Sequence, residues 1–360
     1  MENRQASSRA APFFLFLVDN LIWVLVAVAL LIFTLISPRF LTPFNLISLF
    51  SRMAAIGLLV IGQSFTLITA NFDLSSESTM GLTAMVAALM MATAENGGLG
   101  WETSPWIAIP VMLVLGIAIG WINGILITRF KMNNLIVTIA MLMILRGVTY
   151  GLAHGESPSF LPPAFDYLGG GALYRLLLEN GRRLAIPASG LFMILAFAVA
   201  HLVTRYRRFG RDMYAIGANR AAAEAAGIDP AKIILAVYMI SGLCAALAGL
   251  LDAGRMDSAT PRTGTGLIFV VQAAAVVGGI SLFGGRGSMI GAFGGVLLWG
   301  ILDSGLNIAR VSPFWIEVSR GALLLFAVFF DALRVRYMSR AALRKAMADN
   351  PIGLQDAASL

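Results

Sequence analysis

Polar and acidic side chains crowd one short segment of an otherwise apolar chain. Asp73, Ser75, Ser76 and Glu77 stand close together, and Asn71 comes just before them. An ionised group costs about 2.5–3.5 kcal/mol at the centre of a bilayer, so a membrane chain that keeps such groups gives them a partner or a task. Two uses fit this pattern: hydrogen bonds to a polar solute in a hydrated path, or capping of the helix that follows, where an acid suits the helix dipole.

Further polar side chains lie inside apolar runs and could line the same path. They are Gln63, Asn123, Gln272, Asp303 and Asn307. The alternative is hydrogen bonding between neighbouring helices, which is the common use of such side chains in membranes. Glu317 and Arg320 are three residues apart and can neutralise each other on one helix. The residues we predict for a solute path are Asn71, Asp73, Ser75, Glu77, Gln272 and Asn307.

Catalytic chemistry is difficult to assign to this sequence. None of its three lysines follows a glycine, so no Walker A phosphate loop can be written. Ser189 and His201 lie on one predicted helix, about 18 Å apart along its axis, and cannot form a nucleophile–base pair. Cys244 is the only cysteine, so neither a disulfide nor a thiolate metal site can form within one chain. We therefore expect no enzyme active site, no metal site and no bound cofactor.

The composition is that of a membrane protein. Hydrophobic residues make up 58% of the chain and charged residues 12%, with a mean hydropathy of +0.83, whereas soluble domains carry about a quarter charged residues. A hydrocarbon core of about 30 Å takes roughly 20 residues of helix. Stretches close to that length are found at 20–37, 46–69, 75–94, 105–127, 132–150, 187–204, 232–252, 267–284, 289–306 and 314–333. They predict an all-α polytopic fold of about ten spans, the first retained rather than cleaved as a signal peptide.

Basic residues predict the orientation of the spans. With the N-terminus in the cytoplasm, most of the 26 Lys and Arg residues fall on the cytoplasmic side, which favours both termini inside. The outer loop 151–186 carries three arginines against this trend. The pI near 10.0 is explained by topology and anionic lipid, so a nucleic-acid partner is not needed. We expect the basic tail 334–360 at the inner membrane surface or on a cytoplasmic partner.

The segment 205–232 is the one extended polar, basic stretch. Asn219 is a good N-cap, residues 220–226 are rich in alanine, and Gly227 can supply a left-handed stop. Pro230 fits the first turn of the span that follows. The pattern predicts a short surface helix in a tight turn, suited to binding a cytoplasmic partner. An ordinary basic loop is the alternative interpretation.

Two polar hinges indicate an internal duplication within a single membrane domain, residues 1–360. The hinge at 68–82 reads ITANFDLSSESTMGL, and the one at 250–267 reads LLDAGRMDSATPRTGTGL. On the predicted topology they face opposite sides, as an inverted repeat of 46–150 and 232–333 requires, and transporter sites tend to lie where such halves meet. Two unrelated polar loops would look similar.

Three segments carry a resemblance to a known family. They read ITANFDLSSESTMGLTAMVAAL, then GRDMYAIGANRAAAEAAGIDPAKI followed by YMISGLCAALAGLLDAGRMDSATP, then AAAVVGGISLFGGRGSMIGAFGGVLLWGILDSGLNI. From about residue 40 to 333, in order and spacing, the chain resembles permease subunits of bacterial ABC sugar importers, in particular the ribose, xylose and arabinose type. The resemblance implies a multi-pass protein of the bacterial inner membrane that moves a monosaccharide, a pentose-like sugar or polyol, into the cytoplasm.

The resemblance also implies partners. A periplasmic sugar-binding protein would deliver the solute, and a second permease chain, identical or different, would complete the path. Two ATPase subunits or domains would bind the ATP, so the permease itself would hold no cofactor. The loop 205–231 would dock on the ATPase as a coupling helix and rock the membrane halves between inward-open and outward-open states. The residues that match the family loop are Gly217, Asn219, Ala223, Glu224 and Gly227.

One departure from the family pattern bears on the solute. The family commonly reads Asp-Leu-Ser-Val-Gly-Ser where this chain has Asp73-Leu74-Ser75-Ser76-Glu77-Ser78. If the hinge meets the solute, the added hydroxyl and acid favour a polyhydroxylated ligand of altered shape. If it does not, Glu77 caps the third helix. The wider superfamily includes importers of branched-chain amino acids and nucleosides. A self-sufficient secondary transporter or channel, and a membrane scaffold without solute flux, remain the alternative classes.

Overall fold

The computed structural model describes residues 20–177, 183–326 and 328–329. Helices dominate this part of the chain. In order they are α1 (Leu21–Ile36), α2 (Pro43–Ile68), α3 (Ser76–Met91), α4 (Pro105–Thr128), α5 (Asn134–Ala153), α6 (Pro163–Gly170), α7 (Ala188–Tyr206), α8 (Arg208–Ala218), α9 (Arg220–Ala225), α10 (Pro230–Met256), α11 (Leu267–Val277) and α12 (Met289–Ile308). Residues 313–326 are helical as well. Helices α2, α4, α5, α7, α10 and α12 are long and apolar enough to cross a membrane, which confirms the prediction of a helical membrane protein.

Local signals in the sequence explain several helix starts. The Asn133 side chain accepts hydrogen bonds from the backbone amides of Leu135 and Ile136 at the start of α5. Asp229 caps α10 in the same way, and Ser288 caps α12. Each short polar side chain satisfies backbone N–H groups that have no partner within the helix.

The predicted number of ten spans is not confirmed, because six of the described helices meet the length and hydropathy of a span. The predicted span at 267–284 is wrong in its extent. Helix α11 has 11 residues, or about 16 Å, which is too short to cross a hydrocarbon core. It ends at Gly278, and Gly279 adopts a φ of 91°, a left-handed conformation that favours glycine. The first residues, 1–19, the end of the span predicted at 314–333 and the tail 334–360 lie outside the described residues.

A small sheet departs from the all-α prediction. Strand β1 (Ala172–Leu177) pairs antiparallel with β2 (Arg183–Pro187). The pair occupies the predicted outer loop 151–186 and the first residue of the span predicted at 187–204. Strands of five and six residues are too short for periodicity to separate them from a loop. Helix α6 precedes the hairpin in the same segment.

The N-termini of α3 and α11 meet beside the middle of α10. Ser241, which binds the linker before α3, lies about 17 Å along α10 from its first residue. The backbone amide of Ile268, in the first turn of α11, donates to the Glu77 carboxylate in the first turn of α3, at 3.0 Å. We call α3 and α11 the half-helices, because each begins in the interior of the molecule and reaches one of its ends.

The two ends of the molecule are distinguished by the segments that meet there. At the first, the amide of Gly285 donates to the carbonyl of Ile68, at the end of α2, at 2.8 Å; helix α8 contacts both, and we call this the α8 end. At the opposite end, Ser159 and Ser258 form a β-bridge; the sheet lies there, and we call it the hairpin end. Half-helix α3 runs to the hairpin end and α11 to the α8 end.

Helices α2 and α10 form the centre of the fold, and α5 lies at its periphery. Helix α10 packs against α2, α3, α4 and α6, and α2 packs against α7 and α12 as well, whereas only 22% of the most apolar stretch of α5 is buried. Glycines allow the central helices to approach closely: Gly116 and Gly120 of α4 lie against the α10 backbone at Gly242 and Tyr238. Close packing through small residues is therefore observed where α4 crosses α10.

A pair of carboxyl groups at the hairpin end makes stability depend on pH. Burial, the negative charge of Asp257 and a hydrogen bond to Asp257 together raise the pKa of Asp166 from 3.8 to about 7. The folded protein therefore holds a proton that the unfolded chain has lost between these pH values, so stability falls as pH rises through this window and is flat above it. We expect Asp166→Asn to flatten this dependence and to raise the unfolding temperature at pH 8 by about 1–3 °C.

Thermal unfolding of the detergent-purified protein at pH 5 and pH 8 measures this effect. Glu95→Gln, which changes an exposed acid at the same end, is the matched control and should leave the difference between the two pH values unchanged. An equal pH difference in the Asp166→Asn variant and the unaltered chain would contradict the assignment.

Candidate functional site

The linker between α2 and α3, residues 69–75, is the non-helical part of the predicted hinge 68–82, and its polar side chains are buried. We call this linker the hinge. Asp73 is 2% exposed. Its Oδ1 accepts the Ser75 hydroxyl at 2.6 Å and the Ser75 amide at 3.0 Å, and its Oδ2 accepts the Ser241 hydroxyl of α10 at 2.6 Å. Asp73 thus stabilises the turn just before α3 and joins it to α10. The predicted cap of α3 is not observed, because the N-cap residue is Ser75 and no side chain of the described residues accepts an amide of the first turn. The predicted contact of Asp73 with a solute stays a prediction.

Other hinge residues bind two more helices. The Asn123 side chain of α4 donates to the Ser75 hydroxyl at 2.9 Å. The Asn134 side chain, at the start of α5, donates to Asn71 Oδ1 at 3.0 Å. The Tyr238 hydroxyl of α10 donates to the carbonyl of Phe72 at 2.7 Å. The hinge is therefore held by α4, α5 and α10 together, through hydrogen bonds between helices.

Glu77 is bound at the meeting point of the half-helices. Its side chain is 7% exposed, and Oε1 lies 3.4 Å from Nη2 of Arg146 in α5. Its Oε2 accepts the Ile268 amide at the N-terminus of α11, where the helix dipole favours a negative charge. Glu77 lies in the first turn of α3, where an acid was predicted to suit the helix dipole, and its carboxylate accepts a hydrogen bond from α11, which lies far along the chain.

The structure brings together four of the six residues predicted for the path. Asn71, Asp73, Ser75 and Glu77 lie in or beside the hinge. Gln272 is half-buried within α11. Asn307 is exposed near the far end of α12, and its side chain donates to the Asp303 carbonyl one turn back, at 2.6 Å.

Four partners of the hinge residues and Glu77 were not singled out in the sequence: Asn134, Arg146, Tyr238 and Ser241. Arg146 is the only charged residue of α5, and a lone charge in a predicted span was a usable signal. Ser241 carried no such signal, because one serine in an apolar helix is ordinary.

A helical hairpin, α8 and α9, projects at the α8 end. Asn219 links the two helices and its side chain accepts the Ala222 amide at 3.0 Å. Gly227 follows α9 with a φ of 80°, and its amide donates to the Glu224 carbonyl. The predicted short helix, its N-cap and its left-handed stop are confirmed. Helix α8, with Gly210, Met213 and Ile216 on its buried side, was not predicted.

The coupling residues predicted from the family loop lie on two different faces of the helical hairpin α8–α9. Gly217 lies against the end of α2: a Cβ there would collide with the Ile68 carbonyl oxygen and the Gly285 amide nitrogen. Ala223 is buried in a small apolar cluster with Ile216. The Glu224 side chain is 53% exposed and pairs with Arg220 at 3.3 Å. One face is thus packed on the membrane helices, and the other presents charge outward.

The packed face contacts the segments that lead into and out of the half-helices. Ile68 ends α2, directly before the hinge and α3. Gly285 and Gly287 lie in the glycine-rich loop between α11 and α12, and the Tyr214 hydroxyl of α8 donates to the Gly287 carbonyl at 2.9 Å. A displacement of α8 would therefore reach both half-helices.

A cavity of about 340 Å³ lies at the hairpin end. Arg52 and Ser48 of α2 line it on one side, and Arg255 at the end of α10 lines it on another. Arg52 donates to the hydroxyls of Ser48 and Ser304. The cavity can therefore offer guanidinium and hydroxyl groups to a polar molecule. Sequence reasoning did not identify it, because its lining comes from distant segments.

Comparisons with known proteins agree with the resemblance. A family model described as "Branched-chain amino acid transport system / permease component" matches residues 45–328. The ribose import permease protein RbsC of Escherichia coli (strain K12) is 33% identical over 316 residues, which cover 87% of this chain and 92% of that protein. The ribose import permease protein RbsC of Bacillus subtilis (strain 168) is 34% identical over 304 residues, covering 84% and 89%.

A third similar protein is named for a different pentose. The L-arabinose ABC transporter permease protein AraH of Azospirillum brasilense is 32% identical over 313 residues, covering 86% of this chain and 87% of that protein. No solved structure matches the chain. With its membrane-crossing helices, the chain is a multi-pass protein of the inner membrane. It belongs to this family of transport-system permeases, and the resemblance to permease subunits of ABC sugar importers is confirmed.

Proposed function

We propose that the chain is the permease subunit of an ABC importer that moves a monosaccharide, a pentose-like sugar or polyol, into the cytoplasm. The names of the similar permeases, which specify ribose and L-arabinose, support this class of solute. The permease carries out no catalysis in this proposal: ATP is bound and hydrolysed by two separate ATPase subunits or domains. A periplasmic sugar-binding protein delivers the solute, and a second permease chain completes the path.

The observation that carries the proposal is the two-sided hairpin α8–α9. Its packed face, at Gly217 and Ala223, joins the membrane helices. Its outward face presents Arg220 and Glu224 as an exposed ion pair. A membrane solute path by itself does not require such an element, whereas a permease driven by another protein requires a rigid one.

The topology that goes with this function has both termini and the α8 end in the cytoplasm. The supporting observation is the concentration of basic residues in 205–231, together with the positive-inside rule. In this topology α1, α3, α11 and the helix at 313–326 accompany the six long helices to make ten membrane segments. The cavity at the hairpin end then faces the periplasm, from which the binding protein delivers the solute.

The inverted repeat is part of the proposal. Helix α2, its hinge and α3 correspond in this scheme to α10, the linker 257–266 and α11. In support, each half-helix follows a long helix and a polar linker, and the two run toward opposite ends from the Glu77–Ile268 contact. Discontinuous helices that meet near the membrane midplane are a recurrent feature of transporter sites.

The mechanism follows from the contacts of α8. Closure of the ATPase pair on ATP pushes on α9, and α8 passes the displacement to the end of α2 and to the α11–α12 loop through Gly217 and Tyr214. Because packed helices move as rigid bodies, the half-helices shift with these segments. Solute passes along polar groups that the shift uncovers, which we propose to be Asn71, Asp73, Ser75, Glu77, Gln272 and Asn307.

Co-purification and transport together test the function. The tagged chain is isolated from its native membrane, and its companions are identified by mass spectrometry. We expect a stoichiometric ATPase and a sugar-binding protein, and ATP-dependent uptake of labelled ribose or arabinose by proteoliposomes containing the complex. Recovery of the chain alone, with uptake that persists after ATP depletion, would establish a secondary transporter or channel instead.

A charge reversal tests the coupling surface. Glu224→Arg replaces an i,i+4 ion pair with two like charges on an exposed helix, and the lost attraction and the added repulsion together cost the helix only about 0.4–1 kcal/mol. We expect the variant to insert normally and to lose the ATPase on purification. Glu317→Gln, which breaks another exposed ion pair, is the matched control and should retain it. Normal recovery of the ATPase with Glu224→Arg would contradict the coupling assignment.

A further inference from the structure

We propose that Glu77 and Arg146 form a positioning latch that fixes the two half-helices to each other and to α5, so that they move as one body during transport. This inference rests on the proposed function. The latch is a feature of this chain, because Glu77 stands where the resembling family commonly has glycine.

The acidic residue of the latch, Glu77, connects the two half-helices. Glu77 belongs to the first turn of α3, and its Oε2 accepts the Ile268 amide of α11 at 3.0 Å. The N-terminus of a helix carries a partial positive charge. The Glu77 carboxylate therefore occupies the N-terminus of α11 in this structure.

The basic residue of the latch, Arg146, connects α5 to α3 and to the linker before α11. Arg146 is 12% exposed and places Nη2 3.4 Å from Glu77 Oε1. Its Nη1 donates to the Thr263 carbonyl at 2.8 Å and to the Pro261 carbonyl at 3.3 Å. One guanidinium thus joins α5 to α3 and to the linker that precedes α11. Arginine suits this task because its planar fork presents several donors at once.

These additional bonds distinguish a latch from a simple pair of neutralising charges. A neutralising pair would function equally well with its charges exchanged, or with both replaced by apolar side chains of similar volume. Here exchange would set a guanidinium against the N–H groups of α11 and a carboxylate against the Thr263 carbonyl. Apolar replacement would fill the space and leave the linker without its donor.

Four variants in the reconstituted importer, with its ATPase and binding protein present, test the latch. They are Glu77→Gln, Arg146→Gln, the apolar pair Glu77→Leu with Arg146→Met, and the exchange Glu77→Arg with Arg146→Glu. We expect each to lower the maximal rate of ATP-dependent sugar uptake about tenfold or more. The basal ATPase rate should stay within about twofold, since α9 and the contacts of α8 are not altered.

The apolar pair is the decisive variant, because it removes both buried charges and so avoids the unpaired charge that could stop the single variants from folding. We expect it to insert and to bind the ATPase normally while uptake stays low. Uptake within twofold of the unaltered chain, in the apolar pair or the exchange, would overturn the latch. Failure of the proposed function is a separate result, since the unaltered chain itself would then show no ATP-dependent uptake. Glu317→Gln, an exposed ion-pair variant, should leave every rate unchanged.

Discussion

Gly217→Ala is expected to lower ATP-dependent uptake by about 10- to 100-fold while the protein still inserts into the membrane. The added methyl group would meet the Ile68 carbonyl oxygen and the Gly285 amide nitrogen, which are backbone atoms that hydrogen-bond each other at 2.8 Å and cannot turn aside. Overpacking of this kind typically costs 1–3 kcal/mol, and each 1.4 kcal/mol corresponds to a factor of ten. The strain is relieved most easily if α8 moves away from the end of α2. The contacts that transmit a displacement of α9 to the half-helices are then lost.

A second glycine of the same loop is the matched control. Gly227 has open space around it, and its φ of 80° is the only obstacle to a side chain. Gly227→Ala should therefore cost about 1–2 kcal/mol of local stability and leave the packed face of the hairpin in place. Initial uptake rates and ATP hydrolysis, measured side by side in proteoliposomes, separate the two variants. Equal losses of uptake would show that Gly217 acts through loop conformation alone and not through contact with α2.

The helical hairpin α8–α9 shows which parts of the fold a sequence can predict. Helix α9 follows from Asn219, an alanine-rich stretch and Gly227, all of which act within one or two turns. The same local rules apply to α10, which begins at Asp229 and Pro230. Features governed by neighbouring residues were therefore predicted with close boundaries.

The half-helices show where such reasoning stops. The stretch 267–284 is apolar and rich in small residues throughout, so hydropathy alone extends it to a full span. Its helix ends at Gly278 because the chain turns back toward α12, with left-handed glycines at Gly279 and Gly284. A glycine within a membrane helix and a glycine that ends it look alike in sequence.

Partners in the buried network could not be predicted for a different reason. Asp73 and Glu77 were identified as candidates from their charge, but Arg146 lies 69 residues from Glu77 along the chain, and Ser241 lies 168 residues from Asp73. Pairing over such separations depends on how helices rotate about their axes, and no local rule fixes that rotation. The residue types of the site were therefore predictable in part, whereas the hydrogen-bond and ion-pair partners of each residue were not.

Asp73→Asn is expected to lower the maximal rate of uptake about tenfold without lowering expression. The carboxylate accepts three hydrogen bonds, two from Ser75 and one from Ser241. An amide offers one acceptor oxygen and an NH₂ group that faces a donor, so at least one bond is lost or reversed. Bonds to charged groups contribute about 1.5–3 kcal/mol each, which is enough for the expected change in rate.

Ser241→Ala separates two ways in which Asp73 can act. If Asp73 works through its bond to α10, Ser241→Ala should lower the rate as well, and the double variant should resemble Asp73→Asn alone, because the two residues share one interaction. Competition between labelled ribose and unlabelled arabinose, xylose and ribitol provides the second measurement. A solute contact predicts altered selectivity in Asp73→Asn and unaltered selectivity in Ser241→Ala.

In the proposed path Asp73 both bonds to α10 and contacts the solute. We therefore expect selectivity to change only in Asp73→Asn, and the effects on rate to be non-additive in the double variant. Glu95→Gln, an exposed acid at the hairpin end, should alter neither quantity. Unchanged uptake kinetics in Asp73→Asn would leave the residue only a structural role in the turn before α3. Because Asp73 is buried, a change of selectivity would also require that the hinge opens during transport, and the half-helices are the elements able to open it.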